Sequence, residues 1–456
     1  MRTAVSFAAV ILNLPQYNLK YIMKKQLVTF LCALCFSSGI IAQPTHAIND
    51  SELQYKEAKE LISKEQYALA YPLVKELLAK YPENKLSDYT YLREDILYFD
   101  ILCRLRFMHD VAAEDAVTYI NGTNNEPRRQ MLAFHLAHYY FLKEDYEKAI
   151  EHFTTAGYDN ISNDQAADAK FELAYSYFNL KQFGNAKPLF AEIIQIPGSK
   201  YFIPAQYYYG FISYNEGNYD EALKAFKFVE TVDPYQGIVP YYISEIYYFQ
   251  GKKEESLRYG QSVLDKGGDI YYKGRLNLLI GQLHYEKQDY AKALPLLDEY
   301  VNNSEKVSKE VMYEWSYANY KQGNVAKAID GFRQLSSEKD SMGQNSMYLL
   351  GDLYLKTGDK ANARNAFQFS AYNSSNPTQQ KVSRFNYGKL SYELGYQDIA
   401  LTELRKYIQD YPGSEYDEEA KEILLNLLSR TNNFREAMSI YQGFQNPTVA
   451  MQRVYP

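Results

Sequence analysis

The chain has 456 residues, of which 47 are tyrosine and one is tryptophan, and its formal net charge is −7. This acidic balance provides no basic surface for nucleic acid, so we expect no nucleic-acid partner. The three cysteines, Cys32, Cys35 and Cys103, form neither a disulfide framework nor a zinc-binding pattern.

Residues 23–42 have the features of a secretory signal peptide. Met23-Lys24-Lys25 precedes an apolar run from Leu27 to Phe36, and small residues between Ser37 and Ala42 supply a cleavage point. The apolar run to Ala42 is about sixteen residues long, shorter than the roughly twenty that a membrane-spanning helix needs. We therefore expect residues 1–42 to be removed, leaving an exported protein without an integral membrane segment. A retained membrane anchor is the alternative.

From Ser51 onward, two amphipathic segments joined by a tight turn recur along the chain. In the clearest copy, Ile203 to Pro234, the turn is Glu216-Gly217-Asn218. Each second segment carries a small residue, which we call the marker, and from Ala149 onward successive markers are 34–37 residues apart. The markers are Ala70, Ala149, Ala186, Ala222, Ser256, Ala293, Ala328, Ala363, Ala400 and Ala437.

Other positions keep a constant distance from the marker. Small residues stand twelve positions before it (position −12), where two helices must approach closely: Ala58, Ala137, Ala174, Gly210, Ser244, Gly281, Ser316, Gly351 and Gly388. Large apolar residues stand at position +4: Val74, Phe153, Phe190, Phe226, Leu297, Phe332, Phe367, Leu404 and Tyr441. Glycine recurs at position −5, where it can close the first helix in a left-handed conformation: Gly217, Gly251, Gly323, Gly358 and Gly395.

This pattern resembles the tetratricopeptide repeat family, whose unit is a helix–turn–helix of about 34 residues. The resemblance covers Ser51 to about Met451 and implies an all-α, right-handed α-solenoid of about eleven units. It places two units in residues 51–120, the second degenerate, and about nine consecutive units in residues 130–451. Residues 452–456 would begin a further, truncated unit. The family's tryptophan is absent, and Gly260 replaces the expected aromatic residue, so that unit should pack more loosely.

In that family the first helix of each unit lines a concave surface, and here aromatic residues recur on it. They occupy positions −15, −11 and −8, of which −15 and −8 are seven residues apart and share one helical face. We predict a partner-binding groove lined by Phe134, Phe141, Phe171, Tyr175, Phe178, Tyr207, Phe211, Tyr214, Tyr241, Tyr248, Tyr285, Tyr313, Tyr317, Tyr320, Tyr348, Phe385 and Tyr392. Alternatively, these rings only pack one first helix against the next.

No residue pattern in the chain indicates catalysis or a cofactor. His135-x-x-His138 with His152 is the one metal-like group, and it lacks carboxylate support, so structural or groove histidines are the preferred interpretation. Phosphate-binding glycine loops and nucleophile motifs are absent from the sequence. We therefore expect no catalytic residue, cofactor or metal.

The resemblance thus implies a non-enzymatic scaffold that binds a protein or peptide along its concave face. The chain looks like the long exported repeat proteins of Gram-negative bacteria, particularly Bacteroidota, so we expect it in the periplasm or at the outer membrane. The alternative is glycan binding by the tyrosines, as in the repeat-built sugar-binding lipoproteins of Bacteroidota.

Overall fold

The computed structural model describes residues 51–81, 90–430 and 433–444. The predicted signal peptide at 1–42 and the predicted truncated unit at 452–456 lie outside these ranges. Across the described residues the chain forms 22 α-helices and no β-strand, which confirms the all-α prediction. None of the helices in the described part combines the length and apolar character needed to cross a bilayer.

The first compact unit, which extends to Val239, contains five helical hairpins among its described residues. They pair α1 (Ser51–Ser63) with α2 (Tyr67–Lys80), α3 (Thr90–Arg106) with α4 (Asp110–Gly122), α5 (Glu126–Leu142) with α6 (Tyr146–Ala156), α7 (Asn163–Asn179) with α8 (Phe183–Ile193), and α9 (Phe202–Asn215) with α10 (Tyr219–Val229). A short 3₁₀ helix, Tyr235–Gly237, follows.

The second compact unit, from Pro240 onward, contains six hairpins among its described residues. They pair α11 (Val239–Phe249) with α12 (Lys253–Lys266), α13 (Lys273–Glu286) with α14 (Tyr290–Asn303), α15 (Lys309–Lys321) with α16 (Val325–Gln334), α17 (Ser341–Lys356) with α18 (Lys360–Tyr372), α19 (Pro377–Glu393) with α20 (Gln397–Asp410), and α21 (Asp417–Arg430) with α22 (Phe434–Gln442). The described helices thus form eleven hairpins, the number predicted for a helical repeat solenoid.

The marker always lies four residues after the residue that caps the second helix. Asp145, Asp289 and Asp359 cap α6, α14 and α18, and each side chain accepts a hydrogen bond from the third residue beyond it. A cap of this kind satisfies a backbone N–H that the helix itself leaves unpaired. The ten markers are at most 1% exposed. The recurring small residue therefore identifies the first buried turn of every second helix.

Small residues at position −12 let the two helices of a hairpin approach closely. A Cβ atom added to Gly388 would lie 2.9 Å from Cδ2 of Leu404, the residue at position +4 of the same hairpin. A Cβ added to Gly210 would lie 3.0 Å from the ring of Phe226, which occupies the corresponding place. Larger side chains at position −12 would push the helices apart.

The degenerate second hairpin departs from this rule. Its marker position, four residues after the α4 cap His109, is Ala113, and position −12 is Ile101. Both residues are nevertheless buried. This hairpin therefore keeps the small marker but has lost the small residue at the crossing, which explains why the sequence pattern is weak here.

Position −5 has positive φ in each of the ten hairpins whose turn is described. The five predicted glycines have φ between 76° and 83°. Glu65, Met108, Glu144, Lys181 and Gln288 occupy the same position in the other five turns, with φ between 56° and 63°. The turn geometry is therefore common to all ten, although half of them lack the residue that adopts it most easily.

Gly260, which replaces the aromatic residue expected in α12, leaves a gap that the next hairpin fills. A Cβ atom added to Gly260 would lie 2.4 Å from Cδ1 of Ile280 in α13. In α12 only Ser256 and Gly260 are buried. An open depression of about 480 Å³ lies between α12 and His284 of α13. The missing ring is thus replaced in the core by Ile280.

The core of the second unit runs through consecutive hairpins rather than around one centre. One cluster joins Leu297 of α14, Trp315 of α15, Phe332 of α16 and Leu350 of α17. A second cluster joins residues of α19, α20 and α21. Because each hairpin completes the core of its neighbour, no single hairpin is expected to fold alone.

Candidate functional site

The seventeen aromatic residues predicted to line a groove all lie on first helices, but they differ in accessibility. Nine are buried: Phe134, Phe141, Phe171, Tyr175, Phe178, Tyr207, Phe211, Tyr241 and Phe385. Eight are partly exposed: Tyr214, Tyr248, Tyr285, Tyr313, Tyr317, Tyr320, Tyr348 and Tyr392. All eight accessible rings are tyrosines, whereas most of the buried ones are phenylalanines.

The accessible rings are concentrated in the second unit. Seven of the eight belong to it, and Tyr214 alone belongs to the first unit. In the first unit the other seven predicted groove residues are buried and act as packing residues. We therefore take the partly exposed tyrosines of the second unit as the candidate site.

A three-ring cluster connects consecutive hairpins at this site. The ring centroids of Tyr285, Tyr290 and Tyr317 are 5.5–6.1 Å apart, and their planes are inclined at 70–72° to one another. These are edge-to-face contacts, an arrangement that aromatic pairs favour. The residues at positions −8 and −3 of one hairpin thus pack against the residue at position −11 of the next hairpin.

The same cluster recurs in the first unit. Phe141, Tyr146 and Tyr175 occupy the corresponding positions, with centroids 5.8–6.3 Å apart and planes inclined at 65–74°. Sequence reasoning missed position −3 as a member of this arrangement. The signal was present, because Tyr146, Phe183, Tyr219 and Tyr290 all stand three residues before a marker.

In three hairpins of the second unit, a polar side chain at position −11 bonds to a neighbouring first helix. Nε2 of Gln282 donates to Oε2 of Glu314 over 2.8 Å. The hydroxyl of Tyr320 donates to Oδ2 of Asp352 over 3.1 Å. Nζ of Lys389 donates to Oε1 of Glu419 over 2.6 Å. Gln282, Asp352 and Lys389 at this variable position therefore make contacts between hairpins, whereas Glu245 accepts a hydrogen bond from Tyr241 of its own helix.

Lysines lie over three of the accessible rings, including that of Tyr248, whose centroid is 5.6 Å from Nζ of Lys253. Nζ of Lys321 is 5.3 Å from the ring centroid of Tyr317, and Nζ of Lys356 is 5.2 Å from that of Tyr320. Burial raises the pKa of Tyr313 to about 12, and burial also raises the pKa of Tyr285. These phenols are therefore protonated at neutral pH and present both a hydroxyl donor and a ring face.

The three histidines singled out in the sequence have separate surroundings. Nδ1 of His138 lies 2.9 Å from the carboxylate oxygens of Glu172. His152 stacks on Tyr140 with ring centroids 5.5 Å apart. Burial lowers the pKa of His135 well below its usual range. Within the described ranges, no three His, Cys, Asp or Glu residues are placed to hold a metal ion.

Residues 207–392 match the sequence profile of the tetratricopeptide repeat-like domain. The match supports a tetratricopeptide repeat family. It spans α9 to α19 and contains all eight accessible tyrosines. Tetratricopeptide repeat-like folds are typically non-catalytic scaffolds that mediate contacts between proteins.

Many solved structures are similar to this chain, and two of them serve as examples. The crystal structure of a tetratricopeptide repeat protein from Parabacteroides merdae is 16% identical, covers 59% of this chain and 98% of its own, and has a TM-score of 0.30. The structure of Naa15/Naa10 bound to HypK-THB is 11% identical, covers 88% of this chain and 69% of its own, and has a TM-score of 0.37. With TM-scores this low, neither structure adds to the family match. No curated protein sequence matches the chain.

Proposed function

We propose that this protein is a non-enzymatic scaffold that binds a protein or peptide along the tyrosine-bearing first helices of its second unit. The observation that carries this proposal is the contrast between the units. Seven predicted groove tyrosines of the second unit remain partly exposed, whereas their counterparts in the first unit are nearly all buried. Tyrosine suits such a surface because it combines a large apolar ring with a polar tip.

We further propose that the scaffold acts outside the cytoplasm, in the periplasm or associated with the outer membrane. The basic start, apolar run and small residues between Met23 and Ala42 support this location. Cell fractionation combined with N-terminal sequencing of the mature protein tests it. A cytoplasmic protein that retains Met23 would contradict the proposal.

Glycan binding by the same tyrosines is the alternative, and the tryptophan content weighs against it. Trp315, the single tryptophan, is 7% exposed, and its Nε1 donates to Oδ1 of Asp298 over 2.6 Å. It is therefore engaged in the core and does not offer its ring to a sugar. At the predicted groove positions, every accessible ring is a tyrosine.

A variant with leucine at position −8 tests the proposed surface while keeping a large apolar side chain at each position. Leucine is the natural residue at this position in α17, where Leu355 stands. The triple variant Tyr285→Leu, Tyr320→Leu, Tyr392→Leu should stay folded and lose partner binding. A matched control replaces Tyr271 and Tyr396 by leucine, because both are about half exposed but lie outside the predicted groove positions.

Pull-down from envelope extract, in parallel with a glycan array, compares the wild type, the triple variant and the control. We expect proteins captured by the wild type to be retained by the control and lost by the triple variant, with unchanged circular dichroism. Undiminished capture by the folded triple variant would overturn the proposed surface. Loss of glycan binding alone would support the sugar-binding alternative.

A further inference from the structure

The tyrosines of α13 and α15 form a continuous patch, which we call the tyrosine surface: Tyr285, Tyr313, Tyr317 and Tyr320. The rings of Tyr313 and Tyr317 stack at 18° with centroids 5.9 Å apart, and Tyr320 lies 6.1 Å from Tyr317. Tyr285 contacts Tyr317 from the preceding hairpin. All four are only partly buried, so ring area remains accessible along two neighbouring hairpins.

Glu314 lies next to this surface and has no cationic partner among the described residues. It is partly buried on α15 and accepts a hydrogen bond from the amide of Gln282. Burial, reinforced by the carboxylates of Glu286 and Glu310, raises the pKa of Glu314 against the opposing effect of that hydrogen bond. A partly desolvated carboxylate without a cation is energetically unfavourable, and a cation that arrived there would be stabilised.

The charges around Glu314 leave a local negative excess. Glu310 has no basic partner within the described ranges, while Glu286 is paired with Lys253, whose Nζ is 2.5 Å away. The nearby Lys321 lies over the ring of Tyr317 instead of pairing with a carboxylate. A lysine of the chain itself therefore shows that this surface accepts a cation on a ring face, an interaction that becomes stronger when water is excluded.

We propose that the tyrosine surface and Glu314 bind a basic, extended peptide segment, with an arginine or lysine of the partner lying on the Tyr285 ring and paired with the Glu314 carboxylate. This inference rests on the proposed function and specifies the chemistry of the partner. Gln282, whose amide donates to Oε2 of Glu314, lies one helical turn before Tyr285 on α13, so one cationic side chain can reach both the carboxylate and the ring. Arginine fits best because its planar guanidinium stacks on aromatic rings and pairs with carboxylates.

The test uses the full chain and two labelled synthetic peptides, measured by fluorescence anisotropy at physiological salt. One peptide carries arginine at alternate positions, separated by glycine and serine; the other has citrulline, a neutral analogue, in place of every arginine. We expect the arginine peptide to bind at least about tenfold more tightly, because charge-assisted contacts are roughly twice as strong as neutral ones.

Two variants locate the binding site. Glu314→Gln should lower the affinity for the arginine peptide by about tenfold and leave the affinity for the citrulline peptide unchanged, since only the charged contact is lost. Tyr285→Leu should also lower the affinity for the arginine peptide. Glu305→Gln is the matched control, because Glu305 is exposed in the loop after α14, and it should change neither affinity.

The outcomes separate this inference from the proposed function. Equal affinity for the two peptides, or an unchanged affinity in Glu314→Gln, would overturn the preference for a basic segment. If both peptides then lose binding in the triple tyrosine variant, the peptide-binding surface stands. If neither peptide binds but envelope proteins are still captured through the tyrosines, the scaffold function stands and the basic partner is wrong.

Discussion

The ring of Phe367 in α18 packs directly against the backbone of Gly351 in α17. A Cβ atom added to Gly351 would lie 2.7–2.8 Å from three atoms of that ring, closer than carbon atoms approach without a shift. Gly351→Ala should therefore lower the free energy of unfolding. The steric cost of about 1–3 kcal/mol exceeds the gain in helix propensity of at most about 1 kcal/mol. Chemical unfolding monitored by circular dichroism measures it.

The control for this prediction is Gly184→Ala in α8, where an added Cβ would meet nothing within 4 Å. Alanine there should leave stability unchanged or raise it slightly. Equal effects of the two substitutions would show that helix propensity, and not the crossing of the two helices, decides the residue at Gly351.

The turns provide a second prediction, because Gln288 adopts the conformation that glycine adopts in neighbouring turns. Its φ is 61°, against 76° at Gly323. A residue other than glycine costs about 1–2 kcal/mol in this region, whereas glycine adds freedom to the unfolded chain. We expect Gln288→Gly to raise the unfolding free energy by up to about 1 kcal/mol.

Gly323→Ala is the reverse experiment. An added Cβ would meet nothing within 4 Å, so any loss arises from the backbone conformation alone. It should destabilise the chain by about 1 kcal/mol. Opposite signs for the two substitutions support a common turn geometry, and a stabilising effect of alanine would contradict it.

Asn277 in α13 is the subject of the third prediction. It is 1% exposed, and both its Nδ2 and its Oδ1 lack a hydrogen-bond partner in the described structure. An unpaired buried polar group costs about 1–3 kcal/mol. Asn277→Leu, which keeps the branching at Cγ, should therefore raise the unfolding free energy by about 1–2 kcal/mol. Thermal unfolding of the two proteins measures the difference.

Asn319 serves as the contrasting site. It is also buried, but its Nδ2 donates to the carbonyl of Trp315 and its Oδ1 accepts from Asn324. Asn319→Leu removes these bonds and should destabilise the chain. Stabilisation at both positions would mean that apolar burial alone accounts for the gain at Asn277.

The raised pKa of Glu314 gives a fourth prediction, on pH dependence. In the folded chain this carboxyl holds its proton to a higher pH than in the unfolded chain, so stability falls as pH rises above the ordinary glutamate value. Glu314→Gln removes this loss. It should raise the unfolding temperature at neutral pH and give little gain below about pH 4. The same gain at both values would contradict the role of burial and of the neighbouring Glu286 and Glu310.

The architecture could be predicted from the sequence because each hairpin requires the same residue types at the same positions. A small residue such as Gly388 must stand opposite Leu404, and a turn such as Gly217 must reverse the chain, so both leave a periodic signal. Gln288 and the four other non-glycine turns left no such signal. Their shared φ is imposed by the helices on either side and not by residue type.

The accessibility of the groove residues could not be predicted in the same way. Phe141 and Tyr285 occupy equivalent positions, yet one is buried and the other is partly exposed. The difference depends on the hairpins packed beside each ring. Tyrosine in place of phenylalanine hinted at it, but Tyr207 and Tyr241 are also buried, so residue type alone does not separate the two classes.

The fixed distance of twelve residues between helix crossing and marker determines where the chain can change length. From Ala149 onward, markers are 34–37 residues apart, so the variation lies in the connections between hairpins. A short epitope or protease site inserted between α14 and α15 would leave every helix in place. One extra residue beside Gln288 would instead rotate α14 and expose its apolar stripe. Domain insertion and segmental labelling of this protein therefore have natural entry points, one after each second helix.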